Sequence, residues 1–358
     1  MATRIEHKSS AAQDLKNLDK ATAKRELRRI NMDNNLKNLA AKAKTFAPEM
    51  MQPPYSGIPS FFGAPYRQEI ADLDIALVGV PFDLGVTNRS GARLGPREIR
   101  NQSRLVGIYN HYSRMSPFFD CRIADAGDVP FQTTYDLEEA HADIESFYRK
   151  LSSFGILAIT AGGDHSITFP ILKGLSSKEK VGLIHFDSHC DTSPPFHGSG
   201  LQHGCPMRNA VEAGLVDPDR TVQIGIRGTA ELLWQFSYDS GMRVIHIEEF
   251  YELGWRKVVS EIKSRVGDGP VYISFDIDCL DPAFAPGTGT PVVGGMSSFE
   301  ALQILRGLAG LNVIGGDLVE VAPPYDAGGI TALAGATIMF EILCLAAQSR
   351  ANGTARPK

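Results

Sequence analysis

Cysteine is scarce in this 358-residue chain. Cys121, Cys190, Cys205, Cys279 and Cys344 are scattered, their count is odd, and none forms a CxxC pair. A disulfide framework is thereby excluded, and a reduced, cytoplasmic enzyme is the reading that remains. Basic charge is short as well. There are 36 Lys and Arg against 41 Asp and Glu, a formal net charge of −5, which leaves no footprint for nucleic acid and no attraction to anionic membranes. No apolar stretch reaches the roughly 18 residues needed to cross a bilayer. The N-terminus has no apolar signal-peptide core. What remains is a 43% hydrophobic, 22% charged composition that supports a sizeable core.

The first 50 residues lack glycine altogether. They carry 11 Lys and Arg against 6 Asp and Glu, a local charge of +5 that leaves −10 for the rest. Leu15, Leu18, Leu27, Ile30, Leu36 and Leu39 recur at spacings that suit an amphipathic helix. A helical extension over residues 1–55 is expected, as a solvated arm, a contact with another subunit or a targeting element. "PEMMQPPYSGIPSFFGAP" then interrupts the helix with prolines and glycines.

From residue 74 the chain alternates. "DIALVGV", "CRIADAGDV", "ILAITAGGD", "VGLIHFD", "TVQIGIRG", "RVIHIEEF", "VYISFDID" and "NVIGGDLVEV" read as strands, separated by helical stretches such as "LEEAHADIESFYRKLSSF" and "SFEALQILRGLAGL". This is the βαβ pattern of a mostly parallel sheet covered on both faces. With no long linker and no internal repeat, one α/β domain is expected, followed by a short tail over 348–358.

Several strands end in polar groups. In "HFDSHCDT", Asp187, His189 and Asp191 alternate just after an apolar run, and in an extended segment they project to one face. "SFDID" repeats the device with Asp276 and Asp278, "AGGDHS" places His165 in a glycine-rich turn, and "DLVEVAPP" places Glu320 near a fourth strand end. Carboxyl ends of strands are where open α/β sheets build their sites. Each motif alone is explicable as a cap or a loop. Together, four aspartates in one place repel one another unless a cation intervenes, and the O/N donor set suits Mn²⁺ or a similar first-row ion. Cys190 and Cys279 alternate with these groups and are expected to face away as small apolar residues.

"GGDHS", "HFDSHCD" and "SFDIDCLDPAFAPGTGTPVVGG" resemble the three motifs of the ureohydrolase (arginase/agmatinase) family. The resemblance runs from about Ser56 to Ala347 and takes in "NRSGARLGPREIR", "HGCP" and "EVAPPYD". The "APGTGTP" form is closer to the agmatinase, guanidinobutyrase and guanidinopropionase branch, which also holds guanidine and biguanide (metformin) hydrolases. The resemblance implies a ureohydrolase catalytic domain over 56–347, an arginase-like three-layer α/β/α sandwich around an eight-stranded sheet. It also implies two divalent ions per subunit, manganese first and nickel as in some guanidine and biguanide hydrolases. One ion would be held by His165, Asp187, Asp191 and Asp276, the other by His189, Asp187, Asp276 and Asp278. A trimeric or hexameric homo-oligomer is implied too.

In the chemistry so implied, a hydroxide bridging the ions attacks the guanidinium carbon, with Asp191 aiming it. Glu320 holds the planar cation, and His203 in "HGCP" protonates the departing nitrogen. Urea or a urea derivative and an amine result. His197 is a second loop candidate, whereas His246 reads as structural. The stretch "TSPPFHGSGLQHGCPM" has no Asp, Glu, Lys or Arg to read a charged tail. Together with Phe196, it suggests a short guanidino acid, guanidine, or an N-alkylated guanidine or biguanide, with agmatine as the alternative. Arg208 lies just beyond, where it would meet a carboxylate. Two other readings are a single-zinc amide deacetylase, disfavoured by the full aspartate set, and a subunit of a hetero-oligomer that needs a related partner chain.

Overall fold

The computed structural model describes Thr22, Lys37, Ala41, Lys42, Lys44, Phe46 and residues 48–133, 135–175, 179–195, 197–228 and 231–353. The helix expected near the N-terminus falls almost wholly outside the described residues. Two 3-10 turns, Pro48–Met51 and Phe61–Gly63, occupy the proline- and glycine-rich segment after it.

All eight expected strands form: β1 (Ile75–Val80), β2 (Ile123–Asp128), β3 (Leu157–Gly162), β4 (Val181–Phe186), β5 (Val216–Ile226), β6 (Arg243–His246), β7 (Val271–Asp276) and β8 (Val313–Val319). They make one sheet in the order β2-β1-β3-β8-β7-β4-β5-β6, with every neighbouring pair parallel. The ends of "RVIHIEEF" and "VYISFDID" depart from a strand reading, since Ile247–Leu253 is helical and Ile277–Cys279 is a 3-10 turn.

Both faces of the sheet are covered. Ile75 and Leu77 of β1 join one core with Ile99, Val258 and Ile262, from the helices Gly95–Val106 and Trp255–Val266. Ala76, Val78 and Val80 join the other with Ala140, Ile144 and Tyr148 of the helix Leu137–Ser153. Alternation along a strand splits its residues between two apolar layers, so these strands read as continuous apolar runs. Local signals set the helix starts. Asp136 accepts a hydrogen bond from the Glu139 amide, and Ser297 with Glu300 forms a capping box ahead of Ser298–Gly307.

One sequence expectation needs correction. The segment Ala327–Ala351 is long and apolar enough, by length and composition, to cross a bilayer. It contains the helix Ile330–Ala351, whose Glu341 interrupts the apolar run and meets Arg306 at 2.7 Å and Asn110 at 2.8 Å. Of its most apolar window 78% is buried, so it is a core helix packed on the sheet.

Candidate metal centre and active site

Four adjacent strands, β3, β8, β7 and β4, deliver the polar residues to one edge of the sheet. After β3 the chain turns at Gly163, where φ is +30° and a Cβ would lie 2.6 Å from the carbonyl oxygens of Val80 and Phe82. Only glycine fits there. Asp164 then accepts from the Ser166 amide and starts the 3-10 turn His165–Ile167. At the end of β7, Asp276 likewise accepts from the Asp278 amide at 2.8 Å. Past β8, Glu320 adopts a left-handed φ of +64°, uncommon for a non-glycine residue.

The DxHxD stretch behaves differently from its expected extended form. Strand β4 stops at Phe186, and Asp191 turns back with φ of +51°. Convergence of Asp187, His189 and Asp191 therefore comes from a loop, in which the His189 amide donates to Asp187 Oδ1 at 2.6 Å.

Two groups result. Nδ1 of His165 lies 3.1 Å from Asp187 Oδ2, 2.9 Å from Asp191 Oδ2 and 3.3 Å from Asp276 Oδ2. Nδ1 of His189 lies 3.4 Å from Asp187 Oδ1 and 3.2 Å from Asp278 Oδ2. Asp187 thus offers one carboxylate oxygen to each group. All six expected ligand residues are brought together.

The donor set fits divalent cations on its own evidence. Ser274 Oγ donates to Asp317 Oδ1 at 2.7 Å, so it accepts from His165 Nε2 at 2.8 Å. The remaining nitrogen, Nδ1, is buried with no hydrogen-bond partner among the described residues, yet it faces three carboxylates. A lone pair aimed at anions is unfavourable unless a cation sits between them. Nor can the carboxylates all ionise unaided. Burial, then Asp278 and Asp187, hold Asp276 well above the ordinary carboxylate range, and burial with Asp187 raises Asp191.

Beside this cluster is a cavity of about 290 Å³, lined among others by Thr87, His189, Asp191, Gln202, His203 and Thr290. His203 Nδ1 meets Glu320 Oε1 at 2.8 Å. Burial disfavours the charged ring, but Glu320 outweighs it and holds the imidazole pKa at about 9. Thr87 offers His203 Nε2 its hydroxyl at 2.8 Å and its amide at 3.2 Å. A charged ring donates to the hydroxyl, and a ring that has given up this proton accepts from the amide. Glu320 itself lies one layer behind His203. Its Oε1 also accepts from the His165 amide at 2.9 Å, and its buried Oε2 has no partner among the described residues.

Not every candidate reaches the site. Phe196 lies outside the described residues. His197 is exposed and is not among the residues lining the cavity. Arg208 is committed elsewhere, to the Thr192 carbonyl, Glu212 and the Phe236 ring. His246 packs against Trp234 and Tyr238. Cys279 sits in the core as expected, whereas Cys190, packed on Ile226 and Val244, also borders the cavity. Sequence reasoning missed His185, whose Nε2 is 2.8 Å from Asp187 Oδ2. Alternation was the available signal, since residue 185 stands two before Asp187. It also missed Thr87, for which the sequence carries no comparable signal.

Comparison with known proteins agrees with this geometry. The family model described as "Arginase family" matches residues 73–345. The chain is 50% identical over 303 residues to a guanidinopropionase of Pseudomonas aeruginosa, covering 84% of this chain and 95% of that protein. It is 47% identical over 292 residues to a mitochondrial agmatinase of Gallus gallus, covering 81% and 86%. Among solved structures, the proclavaminate amidino hydrolase from Streptomyces clavuligerus superposes with a TM-score of 0.80 at 37% identity, over 83% of this chain and all of that one. The chain belongs to the arginase family of hydrolases.

Proposed function

We propose that this enzyme cleaves the C–N bond of a small guanidino compound, releasing urea or a urea derivative and an amine. The observation that carries the reading is the unsatisfied site itself: a buried imidazole lone pair facing three carboxylates, beside a cavity that borders His203. His165, Asp187, Asp191 and Asp276 would hold one cation. His189, Asp187, Asp276 and Asp278 would hold the other. Two imidazoles and four carboxylates without thiolate favour Mn²⁺, with Ni²⁺ as the alternative. When bound, such a pair supplies hydroxide at neutral pH and stabilises the charge of a tetrahedral centre.

The chain's own residues do the rest. Asp191, which borders the cavity, receives a proton from the nucleophile. Glu320 Oε2 is free to accept from the substrate's planar cation, which places the guanidinium carbon next to the cluster. Because His203 stands between Glu320 and the cavity, it turns away from Oε1 as substrate enters. It then gives its Nδ1 proton to the departing nitrogen, while Nε2–H can donate to the Thr87 hydroxyl both before and after that transfer. Nitrogen leaves as neutral amine.

The cavity lining includes Ser193, Pro194, Pro195, Cys190, Leu233 and Gln202, and among the described residues no charged side chain beyond the cluster and His203 lines it. An unpaired distal ammonium or carboxylate would lose hydration there, at about 1–3 kcal/mol. Guanidine and N-alkylated guanidines or biguanides such as metformin therefore fit better than agmatine or arginine, and a short guanidino acid fits only if a cation from outside this lining meets its carboxylate. A trimeric or hexameric homo-oligomer is the assembly that membership of this family favours. A urea-release screen with Mn²⁺ and with Ni²⁺ tests the proposal. Agmatine and arginine are expected to fall roughly tenfold to a hundredfold below the preferred compound in kcat/KM. Agmatine as the fastest substrate would overturn the specificity, and no urea from any compound would overturn the reaction.

A further inference from the structure

The interior holds one arrangement that the reaction above does not use. His185 and Gln223 are register partners on β4 and β5, completely buried, and their side chains meet beneath the metal cluster. Gln223 Nε2 donates to the Cys190 carbonyl oxygen at 2.6 Å and to His185 Nδ1 at 3.0 Å. A carbonyl oxygen only accepts, so the amide nitrogen, not the amide oxygen, must face Cys190. The same NH₂ group then presents its second hydrogen to His185 Nδ1, which must hold a lone pair. The ring hydrogen is therefore on Nε2, 2.8 Å from Asp187 Oδ2. Gln223 Oε1 is left buried without a partner among the described residues, so this orientation is held at a cost.

We propose that the Gln223–His185 pair is a positioning device that fixes the rotation of the Asp187 carboxylate and thereby sets the affinity of the metal pair. Asp187 is the residue whose two oxygens face the two His groups. Its Oδ1 is tethered by the His189 amide and its Oδ2 by His185, so neither can swing without breaking a bond. One lone pair of Oδ2 is used by His185 and one of Oδ1 by the His189 amide, which leaves one on each oxygen for the cluster. The relay runs from a loop carbonyl through an amide and an imidazole to a carboxylate, and each member fixes the next. His185 touches no reacting atom in this arrangement. The inference rests on the reading of Asp187 as a ligand shared by two cations.

Four proteins test it: wild type, His185→Phe, His185→Gln and Gln223→Leu, each purified with Mn²⁺ and challenged with graded chelator. Bound manganese per subunit is measured by elemental analysis, and folding is checked by circular dichroism. Phenylalanine keeps the ring volume without a donor. Glutamine places an amide N–H near the position of the lost Nε2–H. His185→Phe and Gln223→Leu should lose about 10- to 100-fold in Mn²⁺ affinity. His185→Gln should stay within about threefold of wild type, a rescue that simple core packing would not give. Unchanged affinity in His185→Phe, or equal losses in the phenylalanine and glutamine variants, would overturn the positioning role alone. If His185→Phe does not fold, Gln223→Leu against His185→Gln carries the same comparison. A wild-type protein holding fewer than two ions would overturn the shared-ligand reading and this inference together.

Discussion

Two buried carboxylate sites lie within the same sheet and differ in one respect. Asp317 on β8 accepts hydrogen bonds from Thr168 Oγ1, Tyr272 Oη and Ser274 Oγ at 2.8, 2.9 and 2.7 Å. Its charge is met by hydroxyl dipoles and asks for nothing more. At the edge of the sheet, Asp187, Asp191 and Asp276 crowd around a His165 nitrogen that has no hydrogen-bond partner among the described residues. Ser274 links the two sites, because it donates to Asp317 and accepts from His165. A buried polar network that satisfies itself belongs to the fold. One that leaves a lone pair and several repelling carboxylates is poised for a cation.

Substitution should therefore act in opposite ways at the two sites. Asp276→Asn removes a charge that burial and its neighbours already disfavour. It should lower urea release by at least about a thousandfold, more than about 4 kcal/mol of transition-state stabilisation, while the cation-free protein unfolds no more easily than wild type. Parallel activity assays and urea denaturation in excess chelator read both effects. A clear loss of cation-free stability would mean that the cluster is part of the fold after all.

Asp317→Leu should do the reverse first. Three buried hydroxyls lose their common acceptor, and denaturant unfolding should show a loss of about 2–4 kcal/mol. If stability is unchanged, the self-satisfied network is not what holds that part of the sheet together.

A smaller effect comes from His141, buried beside Ser166 on the underside of the site. Burial, helped by Lys173, lowers its pKa to about 4. The unfolded ring titrates near 6.5, so the folded state resists protonation. Stability is whole above pH about 6.5 and is lost as the pH falls toward 4, by up to about 3 kcal/mol. His141→Gln should flatten that part of the stability profile, as followed by thermal unfolding from pH 7 to 4. An unchanged slope would assign the acid sensitivity to other groups.

How much of this was legible in the sequence follows from the range of the forces involved. All eight strands were readable, because burial on both faces gives each an apolar run and the alternation is local. The six proposed ligand residues were readable because each stands at or just beyond the end of such a run. Asp191 shows where local reasoning stops. Its left-handed turn is imposed by the loop, whose Met207 amide donates to the Asp191 carbonyl at 3.0 Å, a contact between residues 16 positions apart. Thr87 could not be found from the sequence, since its contact with His203 joins residues 116 positions apart. The His185–Gln223 pair was hidden for the same reason, because it needs the β4–β5 register. The apolar helix Ile330–Ala351 escaped a search for an uninterrupted apolar run because Glu341 interrupts it, yet packing on the sheet gives that glutamate partners in Arg306 and Asn110.

The unsatisfied cluster as a shared two-cation site is tested most directly by metal analysis of Asp187→Ala beside wild type, both purified with Mn²⁺. Asp187 faces His165 through one oxygen and His189 through the other. Wild type should carry two ions per subunit and Asp187→Ala close to none, with the fold intact by circular dichroism. Two ions retained in the folded Asp187→Ala protein would contradict the account.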